Sequence, residues 1–154
     1  MSIVTARITA LAIAMTLLGS AAAFPVDTNE TPASATTAGD LDSARALVDA
    51  QKFDEALPAL QKLDQESPNS PDILNLIGFS LRKTGKMDGA LDYYNRALAL
   101  NPQHRGANEY LGELYLETKQ PEKAKERLEV LHQACGDCEE FEDLQKKINQ
   151  YAAQ

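Results

Sequence analysis

The chain has 154 residues, 44% of them hydrophobic and 25% charged, with no Trp. That length fits one ordinary domain plus leader sequences, and the composition is that of a soluble globular chain. A formal net charge of −8, from 15 Lys and Arg against 23 Asp and Glu with no basic run anywhere, argues against nucleic acid or anionic lipid as a partner.

The first residues do not read as part of a fold. Arg7 is the only charged side chain among them, an apolar run follows from Ile8 to Leu18, and Gly19-Ser20-Ala21-Ala22-Ala23 supplies small residues. This order predicts a secretory signal peptide over residues 1–23, with Ala21 and Ala23 at the positions a signal peptidase reads and cleavage after Ala23. The apolar run is shorter than the ~20 residues needed to span a bilayer, so no stable membrane anchor is expected after cleavage. No Cys lies near the cleavage point, so a bacterial lipoprotein is not indicated. A periplasmic or secreted location follows as an expectation. Residues 24–39, rich in Thr, Ala, Pro and Ser and without hydrophobic periodicity, read as a flexible linker. Asn29-Glu30-Thr31 within it matches a glycosylation sequon, which matters only in a eukaryotic secretory pathway.

From Leu41 the pattern is helical and repeats every 34 residues. Ala56, Ala90 and Ala124 keep this spacing, as do Leu60, Tyr94 and Leu128, and Leu63, Ala97 and Leu131. Ala44, Gly78 and Gly112 obey it too, with Leu47, Leu81 and Tyr115, and with Pro68, Pro102 and then Gly136. Agreement of six columns on one period predicts an all-α chain of three helix-turn-helix repeats over residues 40–136, bounded at about 37–70, 71–104 and 105–138.

Each column has a physical reading. Lys83-Thr84-Gly85-Lys86 and Glu117-Thr118-Lys119-Gln120-Pro121 are short polar turns between the two helices, A and B, of a copy. Gly85 supplies a left-handed helix end, and Pro121 starts a helix where no amide donor is needed. Gly78 and Gly112 lie mid-helix, at a cost of about 1 kcal/mol each relative to Ala, which close approach of the paired helix would compensate. Ala56, Ala90 and Ala124 would be the matching small contacts. Pro68 and Pro102 stop the B helices. Pro58 is tolerated if it falls in the first turn of a helix that begins near Asp54. After the third copy, Phe141, Leu144, Ile148 and Tyr151 recur on one helical face, with acids in the first turn, so residues 137–154 read as a C-terminal capping helix.

Period and residue types together resemble the tetratricopeptide repeat. The clearest copy runs Leu74-x-x-Ile77-Gly78-x-x-Leu81, then Gly85, Ala90, Tyr94, Ala97 and Pro102; the third carries Leu111-Gly112-x-x-Tyr115, Ala124 and Leu128. The first is degenerate, and no copy has the Trp often found early in the first helix. The resemblance covers about residues 37 to 138. It implies a right-handed α-solenoid whose concave face, lined by the A helices, holds a protein or peptide partner.

Carried over position by position, the inward-facing residues would be Leu41, Arg45, Val48 and Asp49, then Asn75, Leu76, Phe79, Arg82 and Lys83, then Glu109, Tyr110, Glu113, Leu116 and Glu117. The positions at which some relatives grip a terminal carboxylate hold Leu41, Arg45, Leu76, Gly106 and Tyr110 here, so that clamp is absent. The remaining groove would set Arg45, Arg82 and Lys83 toward one end and Glu109, Glu113 and Glu117 toward the other. Phe79 and Tyr110 are candidate anchors between them for a peptide or helix of mixed charge. The competing reading is that these two rings only fill space between neighbouring A helices.

Cys135-Gly136-Asp137-Cys138 is the one local motif with reactive chemistry. No strand precedes it as a thioredoxin-like site requires, Glu139 stands where haem attachment needs His, and His104 and His132 are not spaced as zinc ligands. A disulfide formed after export, tying the last repeat helix to the cap, competes with a reactive dithiol whose Cys138 sits at a helix N-terminus. His132 reads as a surface side chain and His104 as an exposed turn residue. No nucleophilic triad or phosphate loop is visible, so no catalysis, metal or cofactor is expected. The function expected is a non-catalytic interaction module, monomeric or weakly self-associating; the alternative is a redox accessory protein using Cys135 and Cys138.

Overall fold

The computed structural model describes residues 33–153, with side-chain surroundings from Gly39 onward. The signal peptide expected at 1–23 lies outside the described residues, as does most of the expected linker. Seven helices follow in order: α1 (Ala33–Asp49), α2 (Phe53–Glu66), α3 (Pro71–Lys83), α4 (Met87–Leu100), α5 (Arg105–Glu117), α6 (Pro121–Cys135) and α7 (Glu139–Ala152). There is no strand among the described residues. The architecture is an all-α helical-repeat solenoid in which α1/α2, α3/α4 and α5/α6 are successive hairpins. Each hairpin packs on the next, and α7 closes on α5 and α6.

The repeated columns are the core. Ala56, Ala90 and Ala124 have no exposed surface, and Leu60, Tyr94, Leu63, Ala97 and Leu131 are likewise buried. Small residues at 56, 90 and 124 let the B helices approach closely, and larger ones a turn later fill the seam between helices.

All three A helices end in the same motif. The amides of Lys52, Lys86 and Gln120 donate to the carbonyls of Leu47, Leu81 and Tyr115, at 2.9, 2.9 and 2.7 Å. Those of Gln51, Gly85 and Lys119 donate to Val48, Arg82 and Leu116. This double bond pattern satisfies carbonyls left over at the helix end and requires a left-handed residue just beyond it. Gln51, Gly85 and Lys119 supply it, with φ of 58°, 79° and 60°.

The A-helix starts share a slot as well. Ser70, His104 and Cys138, each 34 residues after the last, are the N-cap residues of α3, α5 and α7. By this register α7 stands where the A helix of a fourth copy would stand.

Three local expectations need correction. α1 begins at Ala33, inside the stretch read as linker to residue 39: past Pro32 no breaker intervenes before Gly39, and Ala33, Ala35 and Ala38 favour helix. Pro58 is the sixth residue of α2, not part of its first turn. Its ring removes a bond to the Asp54 carbonyl, and both residues are exposed to solvent. His104 is not an exposed turn residue. Its side chain is 13% exposed, Nδ1 accepts from the Ala107 amide at 3.1 Å, and Nε2 lies 3.0 Å from Asp72 Oδ1.

Candidate functional site

The inner face gathers most of the residues expected there. Arg45, Val48 and Asp49 from α1, Asn75, Leu76, Phe79 and Lys83 from α3, and Tyr110 from α5 surround one concavity of about 430 Å³, together with Gln51, Phe53 and Asp72. Its wall is aromatic. The Phe79 and Tyr110 rings lie 4.6 Å apart between centroids, and Phe53 meets Phe79 edge-on at 6.0 Å. Phe79 and Tyr110 are half-buried. They therefore pack against each other across neighbouring A helices and also present surface to the groove, so the two sequence readings describe the same pair. Burial and the nearby Glu109 and Glu113 carboxylates push the Tyr110 phenol up to about 12, so it stays a neutral donor.

The cations and anions are not segregated as expected. Arg82 is 3% exposed and spent on the acids. Its Nη2 stands 2.5 Å from Glu113 Oε2 and its Nη1 2.5 Å from Glu117 Oε1. The guanidinium also lies beneath the Phe79 and Tyr110 rings, 5.4 and 5.8 Å from their centroids. Burial works against its charge, but Tyr94, Glu113 and Glu117 outweigh that and raise its pKa. Lys147, from α7, pairs with Glu113 and lies 3.9 Å from Glu109. The acid end foreseen in the sequence is thus neutralised from two sides.

Glu109 is 6% exposed and does not line this concavity. Burial first, and then the Glu113 charge, push its carboxyl up to about 8 against the pull of Lys147. Near neutral pH it is protonated, which leaves Arg82 and Lys147 balanced by Glu113 and Glu117. Asn75 and Glu113 are also more than nine-tenths buried, and Leu41 packs into the core formed by α1 to α3. Of the inward-facing residues, Arg45, Asp49, Lys83 and Glu117 are exposed, and Gln51 and Asp72 at the rim are exposed as well.

A second concavity, of about 790 Å³, continues the groove past Lys83. It is lined by Arg82, Lys83, Glu113, Leu116 and Glu117, and by Lys119, Lys147, Gln150 and Tyr151. The last four were missed in the sequence. The signal that could have found three of them was the period itself: Lys147 falls 34 residues after Glu113, Gln150 after Leu116 and Tyr151 after Glu117. A helix read only as a lid over the last repeat is also a wall of the groove.

Cys135, the last residue of α6, and Cys138, the N-cap of α7, lie at disulfide distance, with their Cα atoms 5.7 Å apart. Glu140 lies near the two sulfurs, which makes three ligand atoms where a structural zinc site takes four. His132 is exposed, with its ring 5.3 Å from Phe141. No helix of the described residues is long and apolar enough to cross a membrane.

Two tetratricopeptide-repeat family models match the chain, one over residues 41–105 and the other over 81–148. Together they span most of the described residues, and the chain belongs to the tetratricopeptide repeat family. No enzyme family is indicated. No curated protein matches the chain.

Among solved structures, it is similar to the first tetratricopeptide domain of Spaghetti (RPAP3) bound to an HSP90 peptide. That likeness has 21% identity and a TM-score of 0.68, covering 79% of this chain and 96% of that one. It is similar also to the Yersinia enterocolitica type III secretion chaperone SycD in complex with a peptide of the translocator YopD. There the identity is 15% and the TM-score 0.66, with 77% and 91% coverage. The Sgt2 domain of Aspergillus fumigatus is similar at 17% identity and a TM-score of 0.64, covering 77% and 83%. At these identities the likeness is one of fold.

Proposed function

We propose that the protein is a non-catalytic interaction module that works outside the cytoplasm and holds a peptide or helix of a partner protein along the concave face of its A helices. The observation that carries this reading is the Phe79–Tyr110 pair, half-buried and in tilted contact at 4.6 Å between centroids in the wall of a concavity. Aromatic side chains with one face supported and the other open are the groups that dominate interface energies. Two neighbours of the same fold, RPAP3 and SycD, are bound to peptides of partner proteins.

Arg45 and Lys83 supply exposed cations at the groove, and Glu117 an exposed acid. Arg82 supports the aromatic pair from below and Glu113 holds Arg82, while Asn75 lines the same concavity. Export rests on the order of basic, apolar and small residues over 1–23, and a disulfide joining α6 to α7 suits an oxidising compartment. Cys135 and Cys138 then brace the junction.

The test is partner capture from an envelope extract by the native protein and by the Phe79→Ala, Tyr110→Ala double variant. Helicity is expected to stay intact while capture is lost; equal capture by the two would overturn the reading. A Cys135→Ser, Cys138→Ser variant is expected to keep capture, whereas a redox protein would lose its activity. N-terminal sequencing of exported protein is expected to begin at Phe24.

A further inference from the structure

We infer that the concavity walled by α7 is a second station of the same groove, which receives an acidic side chain of the bound peptide between Lys83 and Lys119. This rests on the groove reading above and names the chemistry of the partner.

The first argument is register. The residues of α3, α5 and α7 that line this space fall in three repeated columns: Glu113 and Lys147; Arg82, Leu116 and Gln150; Lys83, Glu117 and Tyr151; Phe79 of the aromatic station heads the first. The aromatic station uses the same columns one copy earlier, through Arg45 and Phe79, Val48, and Asp49 and Lys83. A chain lying in one station is therefore led into the other, and Lys83 lines both.

The second argument is charge. Four cations and two carboxylates line the space, in a chain whose formal net charge is −8. Arg82 and Lys147 are engaged by Glu113 and Glu117. Lys83 and Lys119 have no carboxylate within ion-pair distance among the described residues, and both are exposed. Those two lysines are left to an acid from outside.

The third argument is the floor. Leu116 is 8% exposed and Tyr151 half-buried, so apolar surface lies beside the unpaired lysines. A bare inorganic anion would gain nothing from it. An acidic side chain flanked by apolar ones would use both, and no free chain terminus is required.

The test uses the full chain and fluorescence anisotropy with two pools of labelled peptides, each capped at both ends. One pool mixes Glu and Asp with Phe and Leu; the other replaces the acids by Gln and Asn. The acidic pool is expected to bind about tenfold more tightly at low salt. The Lys119→Gln variant, altered only in the second concavity, is expected to remove most of that advantage and leave the amide pool unchanged. Its fold should be unaffected, since Lys119 is exposed and Gln51 already adopts the same left-handed slot at φ 58°.

Equal binding of the two pools, with loss in Phe79→Ala, would overturn the acidic station and leave the aromatic groove standing. Binding of neither pool would overturn both. Displacement of the acidic pool by millimolar phosphate alone would reduce the station to a simple anion site and sink the peptide reading.

Discussion

Gly112 of α5 lies directly against Leu144 of α7: a Cβ built on Gly112 would stand 2.5 Å from Leu144 Cδ2. Leu144 has no exposed surface. The corresponding glycine one copy earlier, Gly78, meets Tyr94 of its own hairpin partner α4, at 2.7 Å from Cε1. Close approach was expected at both positions, but at Gly112 it comes from α7 and not from the paired helix α6. Gly112→Ala is therefore expected to destabilise the protein, since overpacking of about 1–3 kcal/mol exceeds the propensity gain of about 1 kcal/mol. In a Leu144→Ala background the clash is gone, and the same substitution should stabilise by up to about 1 kcal/mol. Urea unfolding of the four proteins measures this reversal of sign; an additive cycle would show that the two residues are not coupled.

Arg82 is expected to be among the most sensitive surface-remote positions in the groove. Removing it leaves Glu113 buried with only Lys147, and Arg82→Ala should cost about 3–5 kcal/mol. Arg82→Lys should recover little, because one ammonium does not reproduce two guanidinium contacts to two carboxylates. Pairing Arg82→Met with Glu113→Gln should restore part of the loss by removing both buried charges. Thermal midpoints compared across the set are the measurement.

The raised carboxyl of Glu109 gives a pH dependence of defined sign. Its folded value of about 8 lies above the ordinary 4.5, so the folded state holds a proton that the unfolded state has released between these values. This contribution is fully present below about 4.5, falls as pH rises through the interval and is lost above about 8. Glu109→Gln mimics the protonated form, so its urea midpoint should exceed that of the parent at pH 9, with the difference shrinking toward pH 5. A variant advantage that grew toward acid pH would contradict this assignment.

The left-handed column supplies a fourth expectation. Gly85 adopts φ 79° with nothing near its missing Cβ, so Gly85→Ala should cost about 1–2 kcal/mol through backbone strain alone. Lys119 stands in the same slot at φ 60°, and Lys119→Gly should gain up to about 1 kcal/mol. If Lys119 holds an acidic ligand, that gain in stability comes with weaker binding of the acidic pool. Calorimetry and anisotropy on one preparation would show both.

Much of the fold was readable because the 34-residue columns encode packing directly. Ala56, Ala90 and Ala124 are small because another helix presses on them, and Pro68 and Pro102 mark where B helices stop. The aromatic pair was readable for the same reason, since Phe79 and Tyr110 occupy inward positions of adjacent A helices. What escaped was the state of the charges. Arg82 and Lys83 are neighbours in sequence, yet one is sealed beneath two rings and the other is exposed, a difference set by the turn of the helix and by acids 31 and 35 residues away. The role of α7 also escaped. Its amphipathic stripe explained its burial and hid the fact that its remaining residues continue the columns of the groove.

Ser70, His104 and Cys138 fill one structural slot with three chemistries. A hydroxyl, an imidazole and a cysteine sulfur stand at the thresholds of α3, α5 and α7. The first two accept from a backbone amide of their own helix, Ser70 from Ile73 and His104 from Ala107, while the third makes no such bond and meets Cys135 instead. The copy that lacks the capping bond is the one whose helix closes the groove.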